Sequence, residues 1–190
     1  MLIETERTPN PASLKFLPGR EVAGQSSREF SSPEAAEASP LASALFSLGD
    51  VTNVFFGRDF ISVTKAEGSV DWIELKPLVL GILVDHFSSG APLFRGGDAS
   101  AIDIAPDLPP DNEEDADIVA QINELIETRI RPAVARDGGD IAYRGFDRGT
   151  VYLQMQGSCS GCPSSVMTLK QGIETLLKHY VPEVTEVRAI

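Results

Sequence analysis

The sequence predicts an α/β chain of the α+β type, built from two small mixed domains joined by an acidic linker. Three observations predict it. Short β-rich runs alternate with stretches of helical periodicity on both sides of the chain's middle. The stretch 88–116 contains Ser88-Ser89-Gly90, Gly96-Gly97, Pro106, Pro109 and Pro110, and from Asp98 to Asp117 every charged residue is acidic. That composition buries too little apolar area to fold, so it reads as a flexible linker. The flanking segments, 1–87 and 117–190, are each long enough to build a core of their own.

In the first segment, Leu2 to Glu6 reads as a strand and Thr8-Pro9-Asn10-Pro11 as a turn, since proline restricts itself and the residue before it. Leu14 to Leu17 is a second short strand. Ser39 to Leu48 is expected to be a helix, with Leu41, Leu45 and Leu48 on one face. Val51 to Phe56 and Phe60 to Lys65 form a hairpin through Gly57-Arg58-Asp59. Asp71 to Phe87 is a helix that Asp71 caps and Glu74 supports as a capping box. Pro77 within it predicts a kink or a later start.

In the second segment, Ile118, Ile122, Leu125, Ile126 and Ile130 follow helical spacing and predict a helix ending near Pro132. Asp137-Gly138-Gly139-Asp140 is a turn. Ile141 to Phe146 and Thr150 to Gln156 form a hairpin across Asp147-Arg148-Gly149. Pro163 to Tyr180 is a helix whose inner face carries Val166, Leu169, Ile173, Leu176 and Leu177. Pro163 suits its first position, where an N–H would have no partner. Val184 to Ile190 is a last strand, giving the order α-β-β-α-β.

Composition narrows the function. The chain has 190 residues, 42% hydrophobic and 23% charged, with a formal net charge of −12. That field repels nucleic acid and sets DNA and RNA aside as direct partners. No apolar run approaches the roughly 20 residues of a membrane span. The N-terminal residues carry no signal or transit pattern, so the expected location is a bacterial-type cytoplasm, or the mitochondrial matrix if a leader has been removed.

The chemistry sits in Gly157-Ser158-Cys159-Ser160-Gly161-Cys162-Pro163-Ser164-Ser165, which holds the only two cysteines. Their spacing is too short for a stabilising disulfide framework and lets both sulfurs face one point. Cys162 stands at a helix N-terminus, where free N–H groups favour thiolate, the form that binds metal. Gly157 and Gly161 permit close approach of the backbone to a bulky inorganic core. The pair alone leaves three readings open: a redox disulfide, a metal site and an inert pair. Structural zinc needs four ligands, and His86 and His179 are not spaced to complete a local set. A 4Fe–4S cluster takes four thiolates and one chain offers two, so the arithmetic places a cluster between two chains about a two-fold axis. Held there by a short loop, such a cluster is partly exposed and suited to transfer.

Several motifs resemble one family. They are Ile130-Arg131-Pro132 with Val134, Asp137-Gly138-Gly139-Asp140-Ile141, the cysteine loop from Gly157 to Ser165, and Thr168-Leu169-Lys170 with Gly172-Ile173-Glu174. Together they resemble the C-terminal domain of NifU, the Nfu-type iron–sulfur scaffold and carrier domain. Thr8-Pro9-Asn10-Pro11, Leu14-Lys15-Phe16, Leu45-Phe46 and the run from Val54 to Lys65 resemble the Nfu N-terminal domain. The resemblance implies a 4Fe–4S cluster, with a 2Fe–2S form open, bound at Cys159 and Cys162 of a homodimer. It also implies that the cluster comes from upstream donors and goes to apo iron–sulfur client proteins, with no substrate turned over. The first domain is implied to serve partner recognition or targeting. The alternatives are a thiol–disulfide oxidoreductase, with a low-pKa Cys159, and a structural zinc-bridged dimer.

Other polar residues have plainer readings. Asp137 and Asp140 fit a tight turn better than a metal site. Ser158, Ser160, Ser164 and Ser165 fit caps and loop hydrogen bonds better than a nucleophile. Arg58 and Asp59 fit the hairpin, Phe16 and Trp72 the core, and Lys170 an exposed helix position. His179 sits in a last helical turn, where it complements the dipole.

Overall fold

A computed structural model describes residues 2–24, 27–96, 111–159 and 163–190. The chain divides into two compact units, Met1–Ala101 and Ile102–Ile190. Both mix helices with an antiparallel or mixed sheet, in keeping with the α+β class read from the sequence. Of the linker expected at 88–116, residues 97–110 lie outside the described residues.

The first unit is a five-stranded antiparallel sheet of order β1-β2-β5-β4-β3. Its strands are β1 (Glu4–Arg7), β2 (Ser13–Leu17), β3 (Arg28–Phe30), β4 (Val51–Phe56) and β5 (Ile61–Lys65). Helices α1 (Pro33–Ala36), α2 (Pro40–Phe46) and α3 (Trp72–Ser89) complete it. The Thr8–Pro11 turn closes on its own side chains. Asn10 Oδ1 accepts from the Ala12 N–H at 3.0 Å, and the Thr8 hydroxyl donates to the Asn10 carbonyl at 2.8 Å. Helix α2 begins where the Ser39 hydroxyl accepts from the Ala42 N–H at 3.2 Å. Helix α3 begins at Trp72 despite Pro77, because Asp71 Oδ1 accepts from the Ile73 N–H at 3.4 Å and fixes the first turn. It buries Leu75, Val79 and Leu83 against Phe16, Phe56 and Val63 in one core. Each such side chain is worth roughly 1.5–3 kcal/mol of burial, more than a single helical proline removes. The sequence reading missed β3 and α1. Three and four residues are too few to show a period, although Ser32-Pro33 is a helix-start signal and the Ser32 hydroxyl does accept from the Ala35 N–H.

The second unit opens with a continuous helical segment. A 3₁₀ turn at Glu113–Asp115 leads into α4 (Ala116–Leu125), a π-helical stretch at Ile126–Ile130 and α5 (Arg131–Arg136). The expected stop near Pro132 is therefore corrected: the helix passes through. The Arg131 N–H reaches back to the Ile126 carbonyl, a five-residue step that widens the turn. Pro132 then falls in the opening turn of α5, where its missing N–H is not needed. The widened segment still aligns Ile122, Ile126, Ile130 and Val134 on the core.

Strands β6 (Gly139–Asp147) and β7 (Thr150–Gly157) form an antiparallel hairpin. Arg148 and Gly149 both have positive φ, 47° and 84°, the conformation a two-residue hairpin turn requires. Strand β7 alternates buried and half-buried residues along its length, a period of two. After the cysteine loop, α6 (Pro163–Tyr180) crosses back and β8 (Glu186–Ala189) pairs with β7 in parallel. Ile173 and Leu177 are buried, and Val166, Leu169 and Leu176 pack half-buried beside them.

Asp111 belongs to this unit, although its composition reads as linker. Its Oδ1 accepts from the Phe146 N–H at 2.9 Å and from the Tyr143 hydroxyl at 2.8 Å. Burial first, and the Asp111 carboxylate second, hold the Tyr143 phenol above its ordinary pKa. The Phe146 N–H is free to make this bond because β6 bulges between Tyr143 and Gly145.

Candidate functional site

The cysteine loop is anchored at the open end of the β6–β7 hairpin, where Gly139 pairs with Gly157. Helix α5 ends at Arg136, and Asp137 and Gly138 turn the chain into β6. Their N–H groups donate to the carbonyls of Val134 and Ala135, both at 3.1 Å. Gly138 has φ 80°, which a residue with a Cβ adopts only with strain. This turn is the floor on which the loop rests. The Ser158 hydroxyl donates to the Asp137 carbonyl, and the Ser158 N–H donates to the Gly138 carbonyl at 3.3 Å. Ser158 is thus a clasp between loop and turn, as its plainer reading expects.

The turn is itself clamped. Arg131 holds Asp140 with two parallel bonds, Nε to Oδ1 and Nη2 to Oδ2, each 2.9 Å. Its Nη1 also donates to Glu127 Oε1 at 2.7 Å. Hydrogen bonding to Asp140 keeps the guanidinium above its ordinary pKa against the opposing effect of burial. The bidentate pair ties the first residue of α5 to the start of β6. Asp140 Oδ1 accepts from the Ile141 N–H at 2.8 Å as well. Its work is structural, as its turn reading expects, but its main partner is Arg131, a motif residue whose pairing with Asp140 the sequence reading did not foresee. The nine-residue separation hid the pair, because it matches no local spacing.

Cys159 follows the clasp. It is 4% exposed and packs into the second core. Its Sγ lies over Gly139, where a Cβ would come within 2.7 Å of the sulfur and 2.6 Å of the Gln156 carbonyl oxygen. The absent side chain of Gly139 is the space that the sulfur uses. Burial, opposed by the Ser158 hydrogen bond and aided by the Asp137 carboxylate, pushes the Cys159 thiol up to about 11. In the isolated chain this sulfur is therefore a buried, protonated thiol. Ser160, Gly161 and Cys162 lie outside the described residues, and with them the second candidate ligand. The loop re-enters the described structure at Pro163, the first residue of α6.

The raised thiol has a measurable consequence. In the cluster-free protein, Cys159 is expected to react with iodoacetamide at least about tenfold more slowly at pH 8 than a free thiol, with the rate still climbing above pH 9. Site-resolved mass spectrometry of the alkylated protein checks this. The linkage has one sign. A thiol whose folded pKa exceeds the ordinary value near 8.5 adds stability below that pH, and the contribution is lost as pH rises through about 11.

The remaining candidates disperse. Lys15 is buried, paired with Glu6 at 3.3 Å and set over the Phe60 ring, and Phe16 is fully buried in the core, as its reading expects. Trp72 is half-buried, packs near Phe16 and donates its indole N–H to the Pro11 carbonyl at 3.2 Å. Arg58 and Gly57 serve their hairpin, where their carbonyls accept from Val22 and Ala23. Lys170 is half-buried on α6. His179 stacks edge-on against Tyr180 in the last turn of that 18-residue helix, about 25 Å from its first residue at 1.5 Å per residue. His86 belongs to the first unit. Among the described residues, no group of three His, Cys, Asp or Glu side chains is gathered to hold a metal ion. No helix among them is long and apolar enough to cross a membrane.

Comparison with known proteins meets this geometry in both units. Residues 122–188 match the family model described as NifU-like domain, and residues 3–90 match the one described as scaffold protein Nfu/NifU N terminal. The human protein named NFU1 iron-sulfur cluster scaffold homolog, mitochondrial, is 47% identical over 190 residues, covering 100% of this chain and 72% of that protein. NifU-like protein 5, mitochondrial, of Arabidopsis thaliana is 51% identical over 189 residues, covering 98% of this chain and 67% of that one. The solution structure of a NifU-like protein from Saccharomyces cerevisiae aligns with a TM-score of 0.45 at 25% identity, over 50% of this chain and 86% of that chain. With both family models matched and near half-identity along its whole length, the chain belongs to the Nfu/NifU family of iron–sulfur scaffold proteins.

Proposed function

We propose that this protein is an iron–sulfur cluster scaffold and carrier in which Cys159 and Cys162 from each of two chains hold one 4Fe–4S cluster. The observation that carries the reading is the C-x-x-C loop on a braced support. Arg131, Asp140, the Asp137–Gly138 turn and Ser158 fix the chain immediately before Cys159. The residues present fit the group: two cysteines on one short loop, with Gly139 accommodating one of the sulfurs. A bound cluster supplies iron and sulfide as cargo, and the same four thiolates suffice for a 2Fe–2S form.

The chain's own part is to bind and release. Cys159 gives up its proton and turns from the core toward the shared site, so loading releases protons and is favoured by rising pH. Met167 stands one turn into α6, 72% exposed, and gives the face beside the loop an apolar contact for a second copy. The oxidoreductase alternative has no support from the relatives' names, which describe scaffold and NifU-like proteins. A zinc-bridged dimer has no comparable support from the relatives' names.

The division of labour follows. Segment 117–190, extended to Asp111 by its hydrogen bonds, carries the cluster, and segment 1–87 recognises donors or apo iron–sulfur clients. No turnover chemistry is assigned. The compartment is a reducing one, either mitochondrial, as the relatives' names have it, or a bacterial cytoplasm. Transfer tests the carrier role. The loaded protein, mixed anaerobically with an apo-protein that needs a 4Fe–4S cluster, is expected to load it faster than equal free iron and sulfide. Loading no faster than from the free ions contradicts the carrier role.

A further inference from the structure

We infer that the first unit carries a docking cleft for an extended, acidic and apolar segment of a protein partner, between β1 and the first turns of α3. The cleft has a volume of about 640 Å³. Its apolar lining includes Pro11, Leu14, Trp72 and Ile73, and its cations are Arg7 and Lys76. It is remote in sequence from the cysteine loop and does not depend on what that loop binds.

Three features choose the occupant. The first is an unspent apolar surface. Ile73 is 82% exposed at the start of α3, and Trp72 beside it is only half-buried. A large aliphatic side chain so exposed on the lining of a cleft is stabilised when a partner covers it. The second is charge. The chain as a whole is strongly acidic at −12, yet this cleft presents two cations. Among the described residues neither Arg7 nor Lys76 takes part in an ion pair, whereas Lys15 on the neighbouring strand is paired with Glu6. The one carboxylate lining the cleft, Asp71, is engaged as the cap of α3 through the Ile73 N–H. Carboxylates of a partner therefore complete the cleft, and lysines are repelled. The third is shape. The cleft is walled by Thr5 and Arg7 of β1, by Ser13 and Leu14 of β2 and by the start of α3, and a cleft between strands and a helix fits an extended peptide. Globally anionic polymers and membranes meet the −12 field instead.

Trp72 is the chain's only tryptophan, so the cleft contains its own reporter. The test uses the full-length chain and a short capped peptide alternating leucine with aspartate, and follows Trp72 emission during titration. A lysine-for-aspartate peptide is the control. The expected result is a saturable shift with the aspartate peptide, none with the lysine peptide, and several-fold weakening when salt is raised. Arg7→Gln with Lys76→Gln is expected to weaken binding at least about tenfold. Because both side chains are surface cations, circular dichroism should be unchanged. Ile73→Asp, at an exposed position, is expected to weaken binding similarly. The iron content after reconstitution should stay the same in all of them, which separates this cleft from the cluster reading.

An absent shift overturns the proposal, as does an equal response to both peptides or a response that survives the double variant. A Trp72 shift that tracks the chain's own concentration, or that arises with phosphatidylglycerol vesicles and not the peptide, assigns the cleft to another occupant and overturns it too.

Discussion

Cys159→Ala and Cys162→Ala each yield a folded protein that stays colourless after anaerobic reconstitution with iron and sulfide. The fold survives because the loss is small. Removing the buried Cys159 sulfur from the second core costs about 1 kcal/mol, against a usual stability of about 5–15 kcal/mol. The cluster does not survive, because in a symmetric dimer either substitution deletes two of the four thiolates on which the proposed site depends. Circular dichroism and thermal melting check the first half, and iron and sulfide analysis the second. A variant that unfolds, or one that keeps a full complement of iron, contradicts the ligand assignment.

Gly139→Ala lowers the melting temperature by roughly 5–20 °C and cuts the cluster yield. The new methyl carbon would lie 2.6 Å from the Gln156 carbonyl oxygen and 2.7 Å from Cys159 Sγ. The sulfur is able to turn away, but the carbonyl is part of the β7 backbone, paired across from β6, and cannot move alone. Forcing such a contact costs about 1–3 kcal/mol, which in a unit of this size shifts melting by about 4–8 °C per kcal/mol. Gly172→Ala is the matched control. Gly172 lies in α6, has nothing within 4 Å of a Cβ and is not in the left-handed region. Replacing it is expected to raise stability by about 1 kcal/mol through helix propensity alone. Two Gly→Ala changes of opposite sign in one unit separate a close-packing effect from a general one. Equal effects at both positions, read by thermal melting, contradict this account of Gly139.

Much of this was legible in the sequence, for identifiable reasons. Strand β7 and helix α6 carry clean periods of two and 3.6, and the Asp147–Thr150 turn carries its glycine. The cysteine pair announces itself by spacing. Local patterns failed where the structure depends on distant partners. Pro132 read as a helix stop, yet the π-helical turn before it lets the segment continue to Arg136, because Val134 is needed in the core. Asp111 read as linker, yet it satisfies a bulge in β6 more than thirty residues away. The support of Cys159 was invisible for the same reason. Arg131 on α5, Asp137 in the turn after it, Asp140 on β6 and Ser158 in the loop after β7 meet only through the fold. Gly139 reads as part of a tight turn, whereas its task is to leave room for a sulfur. The docking cleft was also hidden: Trp72 reads as a core residue, and no local pattern marks Ile73 as exposed.

Native mass spectrometry of the full-length protein after anaerobic reconstitution tests the central claim most directly. It reports chain number, iron and sulfide in one spectrum. The account predicts a species of two chains with four irons and four sulfides, alongside cluster-free single chains. A cluster carried by a single chain, or a dimer holding zinc without sulfide, would contradict it.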